Sequence, residues 1–339
     1  MPSDATLTRP APTAAAASPA SPATPCAPQP VRLSPLRRPL ILLALLATPL
    51  FFTSNIIVGR SVGGVIAPWQ LAFWRWFFAL AILLPIALPS LIRHRAVLTA
   101  QWKTIVLMGF IVMVLCGGNS YWGLEYTTAT NATLIYASSN IMVVVLDAIV
   151  MRQRLPLLRI LGAIAGFSGI VLITLQGEPG RLLHLSFNIG DLAFLAGAIS
   201  WAFYALMLRD GPLVRIGPVP TFAATNIAGL ILLAPFALAE HFFGTRPGPV
   251  GFEAWSAVAF LATIPSVAVF LMFQYCTREA GPTITAMFGY LMPVYGVVLA
   301  ALLLGERLHG FHAAGFVLIL GGVILATRPP RLPRPPASG

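Results

Sequence analysis

Runs of about twenty apolar residues recur along this chain, and they fix the solvent in which it folds. A bilayer core about 30 Å thick is crossed by about 20 residues of helix. Ten such runs fall at 39-59, 67-90, 104-125, 127-150, 157-175, 188-209, 219-240, 253-275, 282-304 and 310-327, separated by short polar or Pro/Gly punctuation. Composition agrees, with 58% hydrophobic and 9% charged residues, where a soluble domain carries about 25% charged residues. The expected class is an all-α integral membrane protein of ten transmembrane helices. The run from Pro39 to Val58 is longer than the apolar stretch of a cleaved signal, about 7 to 15 residues, and reads as the first span.

Charge and metal-ligand chemistry exclude other classes. The formal charge of +11 rests on 21 Lys and Arg, with one lysine, Lys103, and no basic run interleaved with aromatics, so nucleic acid is not an expected partner. Cys26, Cys116 and Cys276 show no CxxC spacing, and His94, His184, His241, His309 and His312 are dispersed over loops and span ends. No metal or cofactor is expected. The lipid bilayer and a small-molecule substrate are the expected partners.

Residues 1-36 hold nine Pro and nine Ala without apolar periodicity and read as a disordered cytoplasmic tail. Residues 329-339, with five Pro and two Arg, read as a disordered basic tail. Between them, 37-175 and 188-328 read as two five-helix units. With the N-terminus inside, sixteen basic residues fall on the cytoplasmic side and Arg60, Arg181, Arg246 and Arg307 outside. Retention of Lys and Arg in cytoplasmic loops therefore puts both termini in the cytoplasm and the protein in the inner (plasma) membrane.

Sliding the chain on itself by 153 residues lays the fourth and fifth spans over the ninth and tenth. Gly162 falls on Gly315, Gly169 on Gly322, Arg154-Leu155 on Arg307-Leu308, and 11 of 45 positions from Thr130 to Thr174 are identical. Five spans per copy force the second copy into the membrane upside down, the inverted-repeat plan of secondary transporters, with substrate held near the midplane between the repeats.

The segment MFGYLMPVYGVVLAALLLGERLHGFHAAGFVLILGGVILA, with Pro293, Gly305, Glu306, Gly315, Gly321 and Gly322, and the segment Gly123 to Ala132 carry a family pattern. Over residues 38 to 328 the chain resembles the EamA-type transporters of the drug/metabolite transporter superfamily. Asn140 stands where the repeat has Pro293, and Gln153 where it has Glu306. The resemblance implies ten spans in two inverted repeats and solute transport, commonly efflux of metabolites such as amino acids.

Ionisable side chains inside a bilayer cost about 2.5 to 3.5 kcal/mol or more, so each needs a reason. Arg75, between Trp74 and Trp76, lies about eight residues into the second span. It either faces a hydrated cavity and pairs with a substrate carboxylate, or snorkels to the interface. Thr133, Tyr136, Asn140 and Asp147 make a stripe on the fourth span, expected to face the interior. Tyr136 and Asn140 are substrate-cavity candidates, with helix-helix glue as the bland reading. Asp147 reads as an ion pair with Arg152, or as a carboxylate that couples transport to protons.

Trp201, Tyr204, Asn226 and Tyr290 complete the cavity candidates, with lipid-facing or packing roles as the alternative. The glycines of the fifth and tenth spans are expected at close helix contacts, either within the chain or at a homodimer face. Pro49, Pro85, Pro235, Pro265 and Pro293 are expected kinks. No nucleotide-binding loop, HExxH or GxSxG pattern is present. The favoured function is a secondary active transporter and not an enzyme; an integral-membrane enzyme or sensor is the alternative.

Overall fold

A computed structural model describes residues 37–62, 65–152, 155–178, 180, 187–244, 246–304 and 309–327. The two tails, the Gly305-Glu306-Arg307-Leu308 turn and Gln153-Arg154 lie outside the described residues. Ten helical spans appear: α1 (Arg37–Val62), α2 (Pro68–Arg93), α3 (Trp102–Gly123), α4 (Ala129–Val150), α5 (Leu157–Thr174), α6 (Ile189–Met207), α7 (Pro218–Phe243), α8 (Gly251–Ala280), α9 (Pro282–Gly289 continuing as Met292–Leu304) and α10 (Gly310–Thr327). Nine are long and apolar enough to cross a membrane, and α1 adds a shorter apolar stretch, Pro39–Asn55. Short helices at Arg95–Ala100 and Pro212–Ile216 fill two connections.

Local chemistry sets the starts of these helices. Thr128 accepts the Asn131 backbone N–H and caps α4, while Asn188 and Asp191 form a reciprocal capping box on α6. Gly217 and Gly281, at φ 102° and 88°, turn the chain in a conformation that L side chains rarely adopt, and the proline after each opens α7 and α9. Pro293 lacks a donor, and α9 breaks over Tyr290 and Leu291, just before it. Thr53 of α1 donates to the Met292 carbonyl at that break (3.1 Å).

The repeat seen in the sequence is a repeat in space. α3 runs as a π-helix over Phe110–Gly118, and α8 does so over Thr263–Ala268; the two stretches begin 153 residues apart, the offset of the sequence repeat. Pro265 lies within the second. α5 packs on α10, with Gly162 against Gly322 and Gly169 against Gly315. Repeat-equivalent glycines thus meet crosswise, as two inverted copies related by a twofold require. Gly162, Gly169, Gly315 and Gly322 are used within the chain, whereas a Cβ on Gly321 would meet nothing within 4 Å.

Side chains tie α4 to α6 at both ends. At one end the buried Asp191 carboxylate accepts from the Thr127 hydroxyl and from Asn131 Nδ2. At the other, Asp147 pairs with Arg209. N-terminus meets N-terminus and C-terminus meets C-terminus, so α4 and α6 are parallel, as the ten-span topology requires.

Candidate functional site

Arg75 lies seven residues past the start of α2, roughly 10 Å along its axis, and is 4% exposed. Its Nη1 donates to Asn55 Oδ1 of α1 (3.1 Å) and to Tyr121 Oη of α3 (2.9 Å). The Tyr121 hydroxyl donates in turn to the same Asn55 oxygen (2.9 Å). The guanidinium carbon lies 4.3 Å from the Trp76 ring centroid and 5.5 Å from that of Tyr121, within cation-π range. Every one of these partners is neutral. Among the described residues no carboxylate forms an ion pair with Arg75, and its Nε finds no acceptor. Trp76 Nε1 and Ser120 Oγ, also buried, have no partner either. A buried cation without a counter-charge is costly, and this arrangement holds its position while leaving the charge unmet.

An aromatic cluster abuts this nest. Trp76 meets Phe270 edge-on at 5.1 Å, and Phe52, Trp201, Phe273 and Tyr204 continue from there. Trp201 and Tyr204 are buried within it, and Gln274 Nε2 donates to the Tyr204 hydroxyl (3.0 Å).

The remaining cavity candidates disperse. Tyr136 faces α6, its ring 6.3 Å from that of Phe194. Asn140 lies against Gly289 of α9, its Oδ1 3.0 Å from where a Cβ would stand. Tyr290, at the break in α9, is wedged on Gly166 of α5, and its buried hydroxyl lacks a partner. Asn226 of α7 is fully buried, and neither end of its carboxamide has a hydrogen bond. The polar stripe of α4 does not face inward throughout: Thr133 is exposed. Fourteen residues at 3.6 per turn leave a stripe about 40° out of phase from end to end.

Asp147 corrects a sequence expectation. Its partner is Arg209 beyond α6, not Arg152, and Thr283 at the start of α9 donates to its second oxygen (2.5 Å). Arg152 sits in the turn after α4 at φ 49° and is exposed, so chain proximity is overridden by the packing of α4 on α6. Among the described residues no cluster of metal-ligating side chains occurs.

Sequence reasoning missed Asn55 and Tyr121. A signal for one was present: Tyr121 falls on Gln274 under the 153-residue offset, and each anchors a buried polar contact in its own repeat. A cavity of about 370 Å³ lies elsewhere, where the ends of α2, α3 and α7 meet, lined by Trp69, Trp122, Glu125, Glu240, Phe243 and Arg246 among others. None of the seven cavity candidates lines it.

Ten apolar helices in two inverted copies define a multi-pass membrane protein with the architecture of a transporter. The EamA-like transporter family model matches residues 39–175 and 188–328, and the chain belongs to that family. It is 26% identical to the uncharacterized transporter YyaM of Bacillus subtilis, over 87% of this chain and 95% of the relative. A probable terminal-alkyne amino-acid exporter of Streptantibioticus cattleyicolor is 25% identical over 64% of this chain and 73% of its own. A solved crystal structure shares the fold at a TM-score of 0.70 and 22% identity, covering 86% of this chain and 97% of the other.

Proposed function

We propose that this protein is a secondary active exporter of small organic metabolites carrying a carboxylate, amino acids among them, working by alternating access in the cytoplasmic membrane with both termini inside. The observation that carries the reading is Arg75: a buried guanidinium held in place by neutral groups, with no counter-charge among the described residues. A carboxylate is the group that meets a guanidinium through two parallel hydrogen bonds. The amino-acid exporter among the relatives supports the substrate class. Tyr136, packed beside Phe194 of α6, belongs to the same site in this reading. Asn140, Asn226 and Tyr290, with Trp201 and Tyr204, line the path that opens between the repeats. Asp147 holds the repeats together at one end and is the candidate for coupling to protons.

The test is flux in proteoliposomes, screening labelled amino acids and related metabolites with and without a pH gradient. Saturable flux for the wild type, lost in Arg75→Ala and reduced in Asn140→Ala in folded protein, is the expected result. Flux of a carboxylate solute indifferent to Arg75→Ala would overturn the site.

A further inference from the structure

The cavity at the meeting ends of α2, α3 and α7 has a chemistry of its own. Two carboxylates, Glu125 and Glu240, share it with one base, Arg246, and the walls are aromatic: Trp69, Trp122 and Phe243. Glu125 pairs with Arg246, both partly exposed. Glu240 Oε2 accepts the Gln70 backbone N–H (2.8 Å) at the start of α2, where Ala67 supplies no side-chain cap, so Glu240 caps that helix from α7. Glu125 and Arg246 line the same cavity as Glu240.

The count of charges is uneven. Two carboxylates share one guanidinium, which is paired with Glu125, and the end of α2 adds only about half a unit of positive charge at Glu240. Among the described residues no second cationic side chain lines the space. A cavity of about 370 Å³ falls within the roughly 300 to 1,000 Å³ of small-molecule sites. Trp69 is stacked on Phe236 at 4.7 Å, and its ring lies on Gly118 of α3, where a Cβ would stand 2.2 Å from it. Arg75 and Trp76 lie one to two turns further along α2, and neither lines the cavity.

We propose that this cavity is a binding site for an organic ammonium ion with an apolar or aromatic body, distinct from the Arg75 site. The ammonium supplies the missing positive charge between Glu125 and Glu240. The body lies on the tryptophan faces, where a cation also gains from the ring quadrupole. The site does not rest on the carboxylate reading of Arg75, because the two have opposite charge preference and different walls.

The experiment is calorimetric titration of the full chain in nanodiscs with phenethylammonium, and with neutral 2-phenylethanol as its uncharged counterpart. The expected result is saturable binding of the ammonium and at least about fivefold weaker binding of the alcohol, the scale of one partly exposed charge contact. Glu125→Gln should weaken the ammonium by a similar factor and leave the alcohol unchanged. Trp122→Ala should weaken both, and Arg75→Gln should leave both as they are. Equal affinity for ammonium and alcohol, no saturable binding of the ammonium, or binding indifferent to Glu125→Gln in folded protein would overturn the proposal. Loss of binding in folded Arg75→Gln would place the ligand at the deeper site and overturn it as well. Loss of flux in that variant with binding retained separates the two sites.

Discussion

Gly162 of α5 and Gly322 of α10 lie so close that a Cβ on either would stand 2.6 Å from the other's carbonyl oxygen. Gly169 and Gly315 repeat the contact with their roles exchanged. In lipid, helices gain nothing from hiding apolar surface, and close backbone approach through small residues is what holds them together. These four glycines therefore join the last helix of one repeat to the last helix of the other.

Gly322→Ala should lower resistance to denaturation in detergent by about 1 to 3 kcal/mol, the cost of forcing extra atoms into a packed contact. The neighbouring residue provides the control, because a Cβ on Gly321 meets nothing within 4 Å. Gly321→Ala should leave stability unchanged. Equal effects of the two substitutions in an unfolding titration would refute the contact.

The Arg75, Asn55 and Tyr121 triangle predicts graded kinetics. Tyr121→Phe removes the hydroxyl that accepts from the guanidinium and donates to Asn55. A hydrogen bond to a charged group is worth about 1.5 to 3 kcal/mol, so kcat/KM for a carboxylate solute should fall roughly tenfold or more, and Asn55→Ala should act alike. Arg75→Lys should not restore activity, since an ammonium cannot match the planar fork. The readout is the split between KM and kcat: misplacement of the anchor should raise KM first. Unchanged kinetics in both positioning variants would remove the triangle from the site.

Much of the fold was legible in the sequence because lipid makes helix the rule for a spanning segment. Apolar run length located the spans, and the glycine offsets between 162 and 315 and between 169 and 322 exposed the repeat. The site was less legible. Arg75 stood out because a charge in an apolar run demands a reason, whereas Asn55 and Tyr121 look like ordinary polar decoration until three helices bring them to one point. Trp201 and Tyr204 read from the sequence as cavity or as packing residues, and the aromatic cluster they join is compatible with both, because an aromatic stripe reads the same in either setting. Asp147 shows the same limit: its partner Arg209 is 62 positions away, a pairing that only the parallel packing of α4 on α6 creates.

Asp147 joins three elements, through Arg209 beyond α6 and Thr283 at the start of α9. Removing the carboxylate leaves the half-buried Arg209 and the Thr283 hydroxyl without their partner, so Asp147→Asn should destabilise the folded protein by about 1 to 3 kcal/mol. The double variant with Arg209→Gln should cost less than the sum of the single changes, the sign of direct coupling. On the coupling reading, Asp147→Asn should abolish stimulation of flux by a pH gradient while downhill substrate flux is retained. Stimulation that persists in the variant would leave Asp147 a structural clamp and overturn its coupling role.

The matched π-helical stretches of α3 and α8 yield the last prediction. A π segment takes up one extra residue within an α-helix, at a cost in hydrogen-bond geometry, and such stretches concentrate at functional sites. Here they begin at equivalent positions of both repeats, one containing Gly117 and Gly118 and leading to Tyr121, the other containing Pro265. Because the stretch absorbs the extra residue, deleting Leu115 or Ile264 should return each helix to α geometry while residues on either side keep their faces. Rocking of the repeats would then lose a point of bending, and conformational steps commonly set turnover. Each deletion should leave a folded, equally stable protein whose maximal flux falls about tenfold with KM little changed, effects that steady-state transport and thermal unfolding measure separately. Full flux in both deletions would mean that α3 and α8 act as rigid rods and that bending occurs elsewhere, with the break of α9 at Tyr290 and Leu291 the next place to cut.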